Sequence, residues 1–223
     1  MPRVQVRGAP NRGSTPRRES LDNQSNGTDD SAASGQYPQD PTNRQMDRGL
    51  SSFDRAHRFA ASAVWEIPSE HGSRILGGWQ LSGIFAAQTG SPFSVLIPCA
   101  TINAEGNNCR PNRILSGVLP SDQRSISRWF DVSAFAIPSQ AYGNAGRNIL
   151  RGPGGANLDL SLSKSFRWEA PETRRLQIRF ESFNALNHTN FGLPIHSLDS
   201  PAVGTITSAA PARVIQLGAR VEF

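Results

Sequence analysis

The sequence predicts an all-β fold, an antiparallel meander of about five strands with long loops behind a polar leading segment. Three observations predict it. Between Asn157 and Phe183, apolar and polar side chains alternate in two runs joined by a polar corner. The same period of two returns near 58–67, 79–88 and 213–223. The connections alternate in length: corner 68–78 is short, loop 89–156 long, corner 168–175 short and loop 184–212 long.

Residues 1–52 are dominated by Arg, Ser, Asn, Asp, Gly, Pro and Gln, with few side chains to bury, so a disordered or loop segment is expected. Arg3, Arg7, Arg12, Arg17 and Arg18 have no interleaved aromatic residue for base stacking, and a solvated loop outweighs a nucleic-acid arm. The part from 53 to 223 is expected to be ordered.

The first strand sets Phe59, Ala61, Ala63, Trp65 and Ile67 against Arg58, Ala60, Ser62, Val64 and Glu66, and Pro68 ends it. The return strand sets Trp79, Leu81, Gly83, Phe85 and Ala87 against Gln80, Ser82, Ile84, Ala86 and Gln88. The excursion that follows holds both cysteines. The isolation of Cys99 and Cys109 in one polar segment suits a loop-closing disulfide, which implies an oxidising compartment. A metal site is disfavoured, because two thiols need further ligands and no histidine is near in sequence.

The third strand, near 157–167, places Leu158, Leu160, Leu162 and Phe166 on one side, with Trp168 beyond and Lys164 the only intruder. Asn157, Asp159, Ser161, Ser163, Ser165 and Arg167 take the other side. After the corner at Pro171 comes a fourth strand near 175–184, in which Leu176, Ile178 and Phe180 alternate with Gln177, Arg179 and Glu181. The last strand runs to the final residue, with Ile215, Leu217, Ala219, Val221 and Phe223 opposite Gln216, Gly218, Arg220 and Glu222.

Alternation does not say which face meets water. A soluble sandwich buries its apolar face, whereas an outer-membrane barrel turns it to lipid. From the central pair of runs alone the sandwich is the commoner outcome. The alternating connection lengths favour the barrel, as do strands of roughly the 9–11 residues that a tilted crossing needs. So does a set of aromatics at the short-turn end: Trp65, Trp79, Trp168 and Phe223 are expected to form a lipid-facing rim. Asp159, Ser161, Arg179, Glu181, Arg220 and Glu222 are then expected to face the lumen.

The chain has 223 residues, a hydrophobic fraction of 37% and a formal charge of +5, carried almost wholly by Arg, with Lys164 the one lysine. No apolar run approaches the ~20 residues of a membrane-spanning helix, and the start lacks a signal-peptide core. His57, His71, His188 and His196 lack metal-ligand spacing, and no catalytic motif occurs; neither an enzyme nor a cofactor is expected.

Several motifs stand in order along the chain. They are Phe53-Asp54-Arg55-Ala56-His57-Arg58-Phe59, Gly78-Trp79-Gln80-Leu81-Ser82-Gly83, Trp129-Phe130-Asp131, Gly143-Asn144-Ala145-Gly146-Arg147-Asn148, Arg151-Gly152-Pro153-Gly154 and Phe183-Asn184-Ala185-Leu186-Asn187. Together with 157–162 they resemble the C-terminal barrel portion of Oar-like TonB-dependent outer-membrane receptors of the acidobacterial type. That resemblance implies a cell outer-membrane location and a parent receptor that takes up a bulky ligand. It implies that the signal peptide, the plug and the parts that engage TonB belong upstream. It also implies that Phe223 addresses the barrel-assembly machinery, with outer-membrane lipid as the other partner and no nucleic acid. Five strands fall short of the about eight that close the smallest single-chain barrel, so the chain is expected to be a fragment of the parent. The alternative is a secreted β-sandwich binding or adhesion module.

Overall fold

Alternating side chains produce five long strands. In the computed structural model they are β1 (His57–Glu66), β2 (Trp79–Gln88), β3 (Gly155–Glu169), β4 (Thr173–Phe183) and β5 (Val214–Glu222). The structure describes residues 7–8, 11–12, 39–40, 42–68, 77–102, 109–139, 141–169 and 173–222. Each long strand pairs antiparallel with its sequence neighbour, in the order β1-β2-β3-β4-β5. Short connections lie at one end of the sheet, and the spans 89–154 and 184–213 lie at the other. The remaining regular structure among the described residues is a few two-residue strands and four short 3-10 turns. None of its helices is long and apolar enough to cross a membrane, which leaves strand crossings open.

The register brings the apolar faces together. One row across the sheet reads Ala63, Gly83, Leu160, Ser182, Ile215, and the next toward the short turns reads Trp65, Leu81, Leu162, Phe180, Leu217. A one-residue slip at any pairing would turn a strand over; none occurs. The rows also show a stagger. His57 begins β1 six residues before Ala63, whereas Val214 begins β5 one residue before Ile215. The wall therefore slants, as strands tilted to a barrel axis must.

The buried apolar residues lie elsewhere. Phe93, Val95, Phe130, Ala134, Phe135, Ala145 and Leu150 form one core, and Ile97, Cys99, Ile102 and Cys109 form another. All of them belong to loop 89–154, and Leu193, Leu198 and Val203 from the second loop pack against the first core. On the apolar face of the sheet, by contrast, Leu217 is 78% exposed and Ile215 55%. The sandwich alternative finds no support here, because among the described residues no second layer packs over this face.

Composition does not show that part of the leading segment is packed. Gln39, Asp47 and Ser52 are buried, so the ordered part begins before Phe53. Arg110 holds this stretch. Its Nη1 donates to Asp47 Oδ1 at 2.6 Å, its Nη2 to the Met46 carbonyl at 2.9 Å, and its backbone N–H to Gln39 Oε1 at 2.8 Å. The corner at 69–76, with His71, lies outside the described residues, as do Pro171 and Phe223.

Candidate functional site

The wall offers two chemically distinct faces and a capped end. On the apolar face at the short-turn end, Trp65 is exposed and Trp79 half-buried. Trp79 lies directly across from Lys164, whose ammonium sits 5.2 Å from the Trp79 ring centre and 5.1 Å from that of Phe166. The same ammonium donates to the Gly77 carbonyl in the adjoining turn. This is a lysine that lays its stem on apolar surface and carries its charge to the rim. Gly78 has φ +74, and a Cβ there would stand 2.5 Å from the Ser165 carbonyl oxygen, so the turn closes against β3 only with glycine. Trp168 is described by its backbone alone, paired with Arg174, at the same end of β3.

At the opposite end of this face Phe59 and Phe85 stand 6.0 Å apart, centre to centre. This second aromatic pair is not part of the rim expected from the sequence. Its signal was available, since both residues share the parity of Trp65 and Trp79.

The polar face lies on the other side of the sheet. Asp159, Ser161, Arg179, Glu181, Arg220 and Glu222 share one parity across β3, β4 and β5, with Glu181 opposite Ser161 and Arg179 opposite Gly218. Arg179 lies 3.6 Å from Glu181 and Arg220 3.0 Å from Glu222, each an exposed or half-exposed pair along one strand. Asp159 is separate from them. Its Oδ1 accepts from the Asn184 backbone N–H at 2.9 Å and from Asn157 Nδ2 at 2.8 Å, which ties β3 to the start of the second loop.

Where this face meets the loops there is a cavity of about 720 Å³. Arg58, Asp159, Phe183 and Val214 line its wall side, Arg55 and Asn190 its rim. Asn184 helps to form it. With φ 50 and its carboxamide bridging the backbone of His188, it bends the chain away from β4. The cavity opens on the polar face and beneath the long loops. The described residues hold no cluster of His, Cys, Asp or Glu suited to a metal ion.

A family model for an outer membrane beta barrel domain matches residues 19–216. The chain belongs to this outer-membrane β-barrel family. No curated protein and no solved structure matches it. Membership accounts for the bare apolar face, since a barrel turns that face to lipid, and its place is the outer membrane.

The loops of this barrel domain form a cap with its own interior. Trp129 Nε1 donates to the Arg151 carbonyl at 2.8 Å and Phe130 is buried in the core. Asp131 Oδ1 accepts from Ser133 Oγ at 2.7 Å, which holds the Asp131 carboxyl below the usual carboxylate range against the opposing effect of burial. Asn144 Oδ1 accepts from the Arg113 backbone N–H at 2.7 Å, and the Asn148 carboxamide donates to the Leu50 carbonyl at the same distance. Cys99 is bonded to Cys109, with Cα atoms 5.1 Å apart. The motifs in this region thus act as corner pieces of the cap.

Proposed function

We propose that this chain is the C-terminal part of the barrel of an Oar-like TonB-dependent receptor, whose parent takes up a bulky ligand across the outer membrane. The observation that carries this reading is the ordered run of motifs from Phe53 to Asn187: Gly78 and Trp79 shape the short-turn end of the wall, and most of the others build the cap and its junction with the wall. Trp65, Trp79, Trp168 and Phe223 then face lipid at the periplasmic rim. Asp159, Ser161, Arg179, Glu181, Arg220 and Glu222 face the lumen, and the Arg55–Asn190 cavity lies on the ligand's route beneath the loops. Cys99–Cys109 staples an extracellular loop, where the milieu is oxidising. No catalytic step, cofactor or nucleic acid enters the work. Phe223 addresses the assembly machinery, and TonB engages parts upstream of these residues.

The test is photo-cross-linking in cells that express the parent gene, with the photoreactive residue placed in the parent's N-terminal segment. Capture of TonB's periplasmic domain is expected. A parent that reaches the outer membrane and never yields that adduct is a barrel of another kind. Deleting Phe223 from the parent is expected to lower its level in the outer membrane sharply, as measured by membrane fractionation.

A further inference from the structure

The outer edge of β1 is not bare along its length. Arg7 and Gly8 pair with Ser62 and Ala61, and Asn11 and Arg12 pair with Arg58 and His57, antiparallel in both cases. The two ladders keep one register. From Gly8 to Asn11 the chain advances three residues, and from Ala61 to Arg58 its partner retreats three. Two unrelated touches would have no reason to agree, and a bulge between them would have shifted the second by one.

We propose that Arg7 to Arg12 belong to a sixth wall strand, and that the outer edge of β1 is a pairing surface for the chain's own leading segment. The sequence just upstream has the pattern of such a strand, with Val4 and Val6 alternating with Arg3, Gln5 and Arg7. Gly8 lies across from Ala61, a residue of the apolar face.

Direction supplies an independent argument. Arg12 pairs with His57 at the loop end of β1, so the strand runs toward the cap. The described residues between this strand and β1 are packed into that cap: Gln39 Nε2 donates to the Gly143 carbonyl at 3.0 Å, and Arg110 clasps Asp47. This proposal rests on the barrel family and stands whether or not the parent depends on TonB.

Paired cysteines test it, in the full chain folded into lipid vesicles and treated with a short bifunctional thiol reagent. Gly8→Cys with Ala61→Cys, and Asn11→Cys with Arg58→Cys, are expected to cross-link within one molecule. Gly8→Cys with Ala63→Cys is the out-of-register control, expected at least tenfold less efficient. Peptide mapping separates the new link from Cys99–Cys109. Equal yields in all three pairs, or no link in the first two, overturn the proposal. Hydrogen exchange on the unsubstituted chain gives a second reading that no substitution can disturb. Amides of β1 are expected to exchange as slowly as those of β2, and amides of β5 faster. If β1 exchanges as fast as β5, its edge is bare and the sixth strand does not exist.

Discussion

Lys164 stands over Trp79 with its ammonium 5.2 Å from the ring centre, on a face of the sheet whose other members are mostly aliphatic or aromatic. A cation near a ring face gains on the order of 0.5–2 kcal/mol, more when water is scarce. The first prediction concerns this contact. Lys164→Met keeps the length and the apolar stem and loses the charge. It is expected to lower the stability of the vesicle-folded chain by about 1 kcal/mol, measured by urea titration of tryptophan emission. Lys164→Arg is expected to retain most of it, since the guanidinium also reaches a ring.

Ala219 and Gly218 are neighbours in β5 on opposite faces. Ala219 lies across from Ile178, and Gly218 lies across from Arg179 with open space around a built Cβ. Ala219→Arg is expected to cost about 2–4 kcal/mol for a cation near mid-membrane. Gly218→Arg is expected to cost well under half as much. Equal losses in refolding titrations would mean that the two faces have been assigned to the wrong solvents.

The Arg110–Asp47 pair is closed off from water, with the arginine side chain 3% exposed. Asp47→Ala leaves a buried guanidinium without its counter-charge and is expected to destabilise the cap by roughly 3–5 kcal/mol. Replacing both partners, Asp47→Leu with Arg110→Met, is expected to recover much of that loss. Thermal melting of the cap separates the variants. A harmless Asp47→Ala would show that residues 39–52 contribute nothing to the cap.

Asp131 gives the cap a dependence on acid. Its carboxyl is held low chiefly by Ser133 Oγ, with the Ser133 N–H and Arg128, 3.5 Å away, assisting. A carboxylate whose folded value is depressed contributes stability that is complete above its unfolded value, about 4. That contribution is lost as pH falls through the lower folded value. Ser133→Ala is expected to move the Asp131 titration back toward the ordinary range, read by carboxyl NMR chemical shifts. The cap should then begin to loosen at a higher pH than in the parent sequence. An unchanged titration would show that the hydroxyl is not what holds it.

The five strands were legible because a half-exposed sheet writes its two solvents into alternate residues. β2 falls at the expected bounds, and β1 begins one residue earlier than expected. β3 runs from Gly155 to Glu169, longer than the expected 157–167, since Gly155 and Ala156 have no side-chain contrast yet still pair with Gln88 and Ala87. The polar-face residues were legible for the same reason. The cap was not: Phe93, Val95, Phe130 and Leu150 come from irregular chain rich in Pro and Gly, where no period tells an inward residue from an outward one. The Asp47–Arg110 pair was hidden too, because a charged residue in a polar stretch reads as solvated until its partner, 63 residues away, is known. The cavity shares this origin, since Asn190 and Asn184 reach it only through turns set by left-handed asparagines.

That the buried apolar clusters among the described residues belong to the loops, and none to the long strands, divides the chain into two regimes of tolerance. A lipid tail is a fluid that reshapes itself around any side chain, so on the wall the identity of an apolar residue matters little as long as it remains apolar. Leu217→Val or Leu217→Phe should pass unnoticed. Around Phe130 the neighbours are fixed, and a lost methylene leaves a void that no solvent refills. Random substitution should therefore find the wall sensitive to polarity and indifferent to shape, and the cap sensitive to both.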